Sequence, residues 1–231
     1  MRTLDALARL SDLSAAAFTT NDAAAALRIG RPHASKMLER LAAARQIVRL
    51  RRGLWAFPDK VIPLLLPVYL TAPAPCYLSL QSALYFHGMV SQIPQRHYVV
   101  SPGRTRLIRT QMGAVSVHHV VPAWFTGFTV DPRTGVPMAS PEKALADFLY
   151  LAPARSRLFA ALPELDLPKG FKWSQVRRFA RMIAAPRRRV MVERLLRAIG
   201  QKDRRDQPQC PATGADKRHE AVQHREGWRK G

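Results

Sequence analysis

The spacing of apolar residues along this chain changes period several times, and each change marks an element. From Phe18 to Phe57 it predicts two short helices and then a hairpin. Thr19-x-x-Asp22 has capping-box spacing, and Phe18 stands where it can staple onto Ala23. The run Ala23 to Leu27 favours helix, and Arg28-Ile29-Gly30 ends it, with Gly30 expected to supply the turn. Pro32 fits the first position of the second helix. There Ala34, Met37, Leu38 and Leu41 recur at i, i+3, i+4 and i+7 as one apolar stripe. His33, Lys36 and Arg40 fall on a different face, with Ser35 and Glu39 further round. In the hairpin, Val48, Leu50, Leu54 and Phe57 face inward around a turn near Arg52-Gly53, which leaves Arg49, Arg51 and Arg52 outside.

From Pro58 to Pro75 the chain is rich in proline and predicts neither a long helix nor a long strand. Its apolar residues Val61, Ile62 and Leu64 to Leu66 are expected to pack against one of the flanking units. Beyond it Ser79 is placed to cap a helix with Leu80, Ala83, Leu84 and His87 on one stripe, closed by Gly88. His87 on that apolar face reads as a core histidine. Strands are predicted at His97 to Val100, Arg104 to Thr110 and Ala114 to Val120, the last two as a hairpin through Gln111-Met112-Gly113. A short strand near Gly135 to Met138 precedes a helix with Ser140 as cap, Pro141 first, and Glu142 by the positive end. Ala144, Leu145, Phe148 and Leu149 form its inner face. Phe171 to Ile199 is helical around Pro186, with Phe179, Met182, Ile183, Val190, Val192, Leu195, Leu196 and Ile199 available to dock it. From Gly200 onward the chain is polar and reads as a disordered basic tail.

The expected fold class is therefore α+β. An N-terminal winged helix-turn-helix at 1–58 and a proline-rich linker at 59–76 lead to a mixed α/β domain at 77–199 with a basic helical C-terminal part, then a tail at 200–231.

Charge sharpens this picture. Among 231 residues, 37 Lys and Arg stand against 16 Asp and Glu, a formal net charge of +21. Such a charge disfavours a compact state unless a polyanion neutralises it, and nucleic acid is the commonest one. Most of the basic residues are Arg, whose fork suits phosphate and guanine edges. A solvated basic surface in an Arg-rich proteome is the lesser alternative on charge alone. The two cysteines, Cys76 and Cys210, have no metal-ligand spacing and read as free thiols of a reducing cytosol. The most apolar stretch, Val61 to Leu70, is short and broken by Pro63 and Pro67, too short for a membrane helix. No secretory signal precedes the helical pattern, so the expected location is cytoplasmic, at the nucleoid.

A helix locked by one stripe and basic on another suits the major groove. Arg31, His33, Ser35, Lys36 and Arg40 are its candidate DNA contacts, and Arg49, Arg51 and Arg52 would clamp backbone or minor groove from the wing. The Arg-rich C-terminal helices, with Arg177, Arg178, Arg181, Arg187, Arg188, Arg189, Arg194 and Arg197, extend that footprint, hold an acidic partner, or are simply solvated.

Several segments resemble the AbiEi antitoxin family of abortive-infection systems. They are Ser79-Leu80-Gln81-Ser82-Ala83-Leu84-Tyr85-Phe86-His87-Gly88-Met89, Ile93-Pro94, Tyr98-Val99-Val100, Val117-His118-His119-Val120, and the run Ala139 to Tyr150. The likeness runs in order from the winged helix to about Leu151 and more loosely to Ile199. The resemblance implies a bacterial repressor that binds inverted repeats in its own promoter as double-stranded DNA. It also implies a second domain that counteracts a nucleotidyltransferase-like toxin, often without a stable complex. By similarity that role falls on Ser79, Ser82, His87, Ser140, Glu142, Lys143 and Asp147. A stand-alone regulator without a toxin partner is the alternative. The protein is expected as a monomer or weak dimer that pairs on DNA, and no cofactor or metal is called for.

Catalysis finds little footing. A metal-dependent nuclease needs clustered carboxylates, yet Asp131, Glu142 and Asp147 are the only acids between Asp59 and Glu164. Lys143 and Asp147 have the i,i+4 spacing of a surface salt bridge. His118 and His119 point to opposite faces of a strand. A phosphate-binding Gly-Lys-Ser/Thr loop is absent, as is the stacking motif of an RNA reader. The chain is read as a non-enzyme.

Overall fold

A computed structural model of the chain describes residues 2–152 and 165–206, with side chains to residue 199. It is mixed α+β with two sheets.

Helix α1 (Thr3–Ser11), strand β1 (Ala17–Thr19), helices α2 (Thr20–Leu27) and α3 (Arg31–Ala43), and strands β2 (Val48–Arg51) and β3 (Leu54–Ala56) form the first unit. The capping box closes as expected: the Asp22 amide donates to Thr19 Oγ1 at 3.2 Å, and the Thr19 amide to Asp22 Oδ2 at 2.7 Å. The α2–α3 turn differs from expectation. Arg28, at φ 54°, takes the left-handed position, while Gly30 is extended and starts α3. Arg31 opens α3 and Pro32 is second, where it equally needs no intrahelical donor. The three strands run antiparallel in the order β1-β3-β2. Strand β1 had no recognisable signature, because three residues are too few to show a period. One face of this small sheet, through Phe18, Trp55 and the flanking Phe57, packs on α1 to α3 with Ala23, Leu27, Met37, Leu38 and Leu41.

The proline-rich segment folds into a 3-10 turn (Pro63–Leu65) and helix α4 (Leu66–Thr71). Rather than siding with one neighbour it packs between both. Val61, Leu66 and Leu70 meet Leu50, Leu54 and Ala56 on one side and Leu78, Val99, Val115 and Val117 on the other. Arg51 and Arg106 donate to the Ala72 and Leu70 carbonyls at 3.4 and 3.2 Å, where the C-terminal end of α4 favours positive charge.

The second unit is a six-stranded sheet with helices over one face. Its strands are β4 (Tyr77–Leu78), β5 (His97–Ser101), β6 (Arg106–Thr110), β7 (Gly113–His119), β8 (Phe128–Val130) and β9 (Pro137–Ala139), in the order β6-β7-β5-β4-β9-β8. Pairing is parallel for β5–β7 and β4–β9, and antiparallel elsewhere. Alternation along each strand splits the contents. Tyr77, Val100 and Ala139 face helices α5 (Leu80–Phe86), α6 (Pro141–Leu151), α7 (Trp173–Arg181) and α8 (Pro186–Asp206). Leu78, Val99, Val115 and Val117 face α4 and the small sheet.

The strands expected from Arg104, Ala114 and Gly135 begin instead at Arg106, Gly113 and Pro137. Helix α8 runs to Asp206, past the expected onset of disorder at Gly200; the remainder of that expectation, 207–231, lies outside the described residues. Val176, Ala180, Ile183, Val192 and Leu196 dock α7 and α8. Met182 and Val190, expected to help, are 45% and 64% exposed, because helical rotation turns them away from the stripes that Val176, Ala180 and Ile183 form on and just past α7 and Val192 and Leu196 form on α8. No helix among the described residues is long and apolar enough to cross a membrane.

Candidate nucleic-acid interface

Helix α3 buries Ala34, Met37, Leu38 and Leu41 and turns Arg31, His33, Lys36, Glu39 and Arg40 to solvent, with Ser35 half-buried. Its first turn carries no acid and no side-chain cap, so positive dipole and basic side chains coincide at that end. The β2–β3 hairpin follows with Arg49, Arg51 and Arg52 exposed. These arginines are not equivalent. Arg49 lies over the Trp55 ring at 5.5 Å, a cation–π contact that fixes its stem. Arg51 is directed to the Ala72 carbonyl. Arg52 sits at the turn with no partner among the described residues. The hairpin is anchored beneath by Trp55, whose Nε1 donates to buried Thr20 Oγ1 at 3.0 Å. That bond ties the sheet to the start of α2, which packs on α3.

The second group of candidate residues gathers around α6, but inside the protein. Lys143 and Asp147 are both fully buried, with Nζ 2.7 Å from Oδ1. The surface salt bridge expected from their spacing is therefore corrected: the helix turns this edge into the core, where Trp124 and Phe179 cover it. Asp147 also accepts from Trp124 Nε1 at 2.6 Å, Ser79 Oγ at 2.7 Å and Tyr77 Oη at 3.0 Å. Lys143 donates besides to the Trp124 carbonyl at 3.0 Å and lies 4.0 Å from the Trp124 ring centroid. Burial draws the Lys143 pKa down, and the Asp147 charge and hydrogen bond oppose that shift. Burial, then the Asp147 charge and bond, push the Tyr77 hydroxyl well above its usual range.

Ser79 consequently does not cap α5 with its side chain; the hydroxyl is spent on Asp147. Ser82 instead accepts from the Tyr98 amide at 2.8 Å and pins α5 to β5. His87 ends α5 half-buried, with Nε2 2.8 Å from the Ala139 carbonyl. Ser140 does cap α6, accepting from the Lys143 amide at 3.1 Å. Glu142 accepts from the Lys172 amide at 3.1 Å. Ser79, Ser82, His87 and Asp147 thus join α5, α6 and the sheet, while Ser140 caps α6 and Glu142 ties it to the start of α7. Asp131 shapes its own turn by accepting from the Arg133 and Thr134 amides at 2.7 and 3.1 Å. It does not join Glu142 and Asp147, and no His, Cys, Asp or Glu group suited to a metal ion occurs among the described residues.

Sequence reasoning missed the roles of Tyr77 and Trp124. Neither stands in a periodic run, and only the meeting of β4, the 3-10 turn Pro122–Trp124 and α6 brings them to Asp147. The chain matches no protein-family model and no curated protein.

Proposed function

We propose that this protein is a DNA-binding transcriptional repressor whose first unit is a winged helix-turn-helix. The observation that carries the reading is the order of parts. Helix α3 is locked by a buried stripe and presents Arg31, His33, Lys36 and Arg40, and a hairpin with Arg49 and Arg52 follows it. In this reading α3 enters the major groove and the hairpin meets the adjacent backbone or minor groove. Overall charge supplies the salt-dependent, sequence-independent part of affinity. Two copies on an inverted repeat would occlude the promoter.

The resemblance to the AbiEi family supports the further proposal that the operon encodes a nucleotidyltransferase-like toxin, which the second unit counteracts. The same family likeness fits a stand-alone regulator. Lys143 and Asp147 being wholly enclosed favours a non-catalytic second unit, since a reacting group must reach its substrate.

The test is a gel-shift titration against the protein's own upstream region, with a random duplex of equal length as control, at two salt concentrations. A preference for the upstream DNA that survives added salt and falls with Lys36→Ala/Arg40→Ala supports the reading. Equal, salt-sensitive binding to both duplexes overturns it.

A further inference from the structure

Helices α7 and α8 carry Arg177, Arg178, Arg181, Arg187, Arg188, Arg189, Arg194 and Arg197, all exposed. Glu193 is the one acid in the sequence from Trp173 to Ile199. Among the described residues none of these guanidinium groups forms an ion pair; Arg188 lies over the Tyr150 ring at 4.7 Å, and Arg181 Nε donates to the Arg177 carbonyl at 3.4 Å. The set is therefore uncompensated positive charge displayed on two docked helices.

Its geometry is ordered. On α8, Val192, Leu195, Leu196 and Ile199 pack inward. Arg187, Val190, Arg194 and Arg197 recur at i, i+3, i+7 and i+10 on the opposite line, a row about 15 Å long at helical rise. On α7, Ser174, Gln175, Arg178, Arg181 and Met182 line a shallow open concavity. Hydroxyl, amide and forked guanidinium donors along one face suit phosphate oxygens better than a hydrocarbon surface. The exposed apolar residues there, Met182, Val190 and Met191, include no aromatic anchor of the kind an interfacial helix uses.

Placement distinguishes this face from α3. The six-stranded sheet turns Tyr77, Val100 and Ala139 toward α5 to α8, and Leu78, Val99 and Val117 toward α4 and the small sheet. Helix α3 lies beyond that small sheet, on its far face. The outer surfaces of α3 and α8 thus lie on opposite sides of the two sheets.

We propose that the arginine face of α7 and α8 is a second binding surface for the nucleic-acid phosphate backbone, taking a separate duplex segment, so that one molecule bridges two stretches of DNA. The reading of α3 as the first DNA contact underlies it. The second surface is sequence-independent, because phosphate contacts position without specifying.

The experiment uses the full chain with the upstream duplex immobilised and a fluorescent random duplex in solution. Wild type is expected to retain the second duplex. Arg178→Ala/Arg181→Ala/Arg187→Ala/Arg194→Ala should keep its binding to the immobilised duplex and lose about tenfold or more of the capture, with a shallower salt dependence. These side chains are exposed, and an unchanged circular dichroism melt confirms the fold. Capture that persists in this variant overturns the proposal, since the second duplex is then held elsewhere than on the α7 and α8 arginines. So does unchanged capture combined with lost binding to vesicles of phosphatidylglycerol or to a polyglutamate peptide. Lys36→Ala/Arg40→Ala separates the two readings: if it leaves upstream binding untouched, the α3 reading fails. If upstream binding depends on α3 but no second duplex is held, only the bridging proposal fails.

Discussion

Lys143 and Asp147 lie one turn apart on the inner edge of α6, their charged atoms 2.7 Å apart and both side chains fully buried. Three further donors from Tyr77, Ser79 and Trp124 complete the Asp147 carboxylate. The pair thereby couples β4, the residue before α5, the 3-10 turn at Trp124 and α6. Its value lies in joining elements far apart in sequence. Replacing such a pair by apolar residues is often neutral, whereas removing one partner leaves an unpaired charge.

Asp147→Ala and Lys143→Met are each expected to destabilise the fold by about 3–5 kcal/mol. The double variant should cost markedly less than the sum of the two. Urea denaturation of the three variants measures the coupling. Strict additivity would mean the ion pair contributes nothing of its own.

The Trp55–Thr20 bond makes a separate prediction. Thr20→Val keeps the volume but leaves the indole N–H enclosed without an acceptor, at a cost of about 1–3 kcal/mol. Trp55→Phe should cost less in that background than in the wild type, because it removes the orphaned donor along with the buried ring. Chemical denaturation of the single and double variants reports it.

His118 gives a pH dependence. Burial lowers its pKa from 6.5 to about 4, so the unfolded chain binds the proton more readily. Its contribution to stability is present above pH 6.5 and is lost as pH falls toward about 4, amounting to roughly 2–3 kcal/mol. His118→Gln should flatten that part of the profile. An unchanged slope between pH 6.5 and 4 would assign it to other groups.

On DNA the basic residues of the first unit should separate into types. Lys36→Ala or Arg40→Ala should cost about 1–3 kcal/mol on the upstream sequence if they touch base edges. Arg52→Ala should weaken specific and random DNA alike and reduce the salt slope by about one. Arg51→Ala should change DNA affinity least of the hairpin arginines, since its side chain is committed to the Ala72 carbonyl. Fluorescence anisotropy over a salt series distinguishes these outcomes.

The amino-acid sequence by itself determined the elements whose cause is local. The capping box at Thr19, the buried stripe of α3, the hairpin around Arg52-Gly53 and the Ser140-Pro141 start of α6 were legible because caps, turns and helical periods act within a few residues. So was the basic face of α3, since fixing its apolar stripe fixes what remains outside. Tertiary structure decided what depends on distant neighbours. A Lys and an Asp four apart read the same on an exposed helix as on an enclosed one; Tyr77, Ser79 and Trp124 put them in the core. It also turned the proline-rich stretch into a wedge between two sheets, because Leu66 and Leu70 find apolar partners on both sides. The separation of α3 from the α7–α8 arginines likewise follows from which face of each sheet the helices cover, and strand order and crossover set that face, which local sequence does not encode.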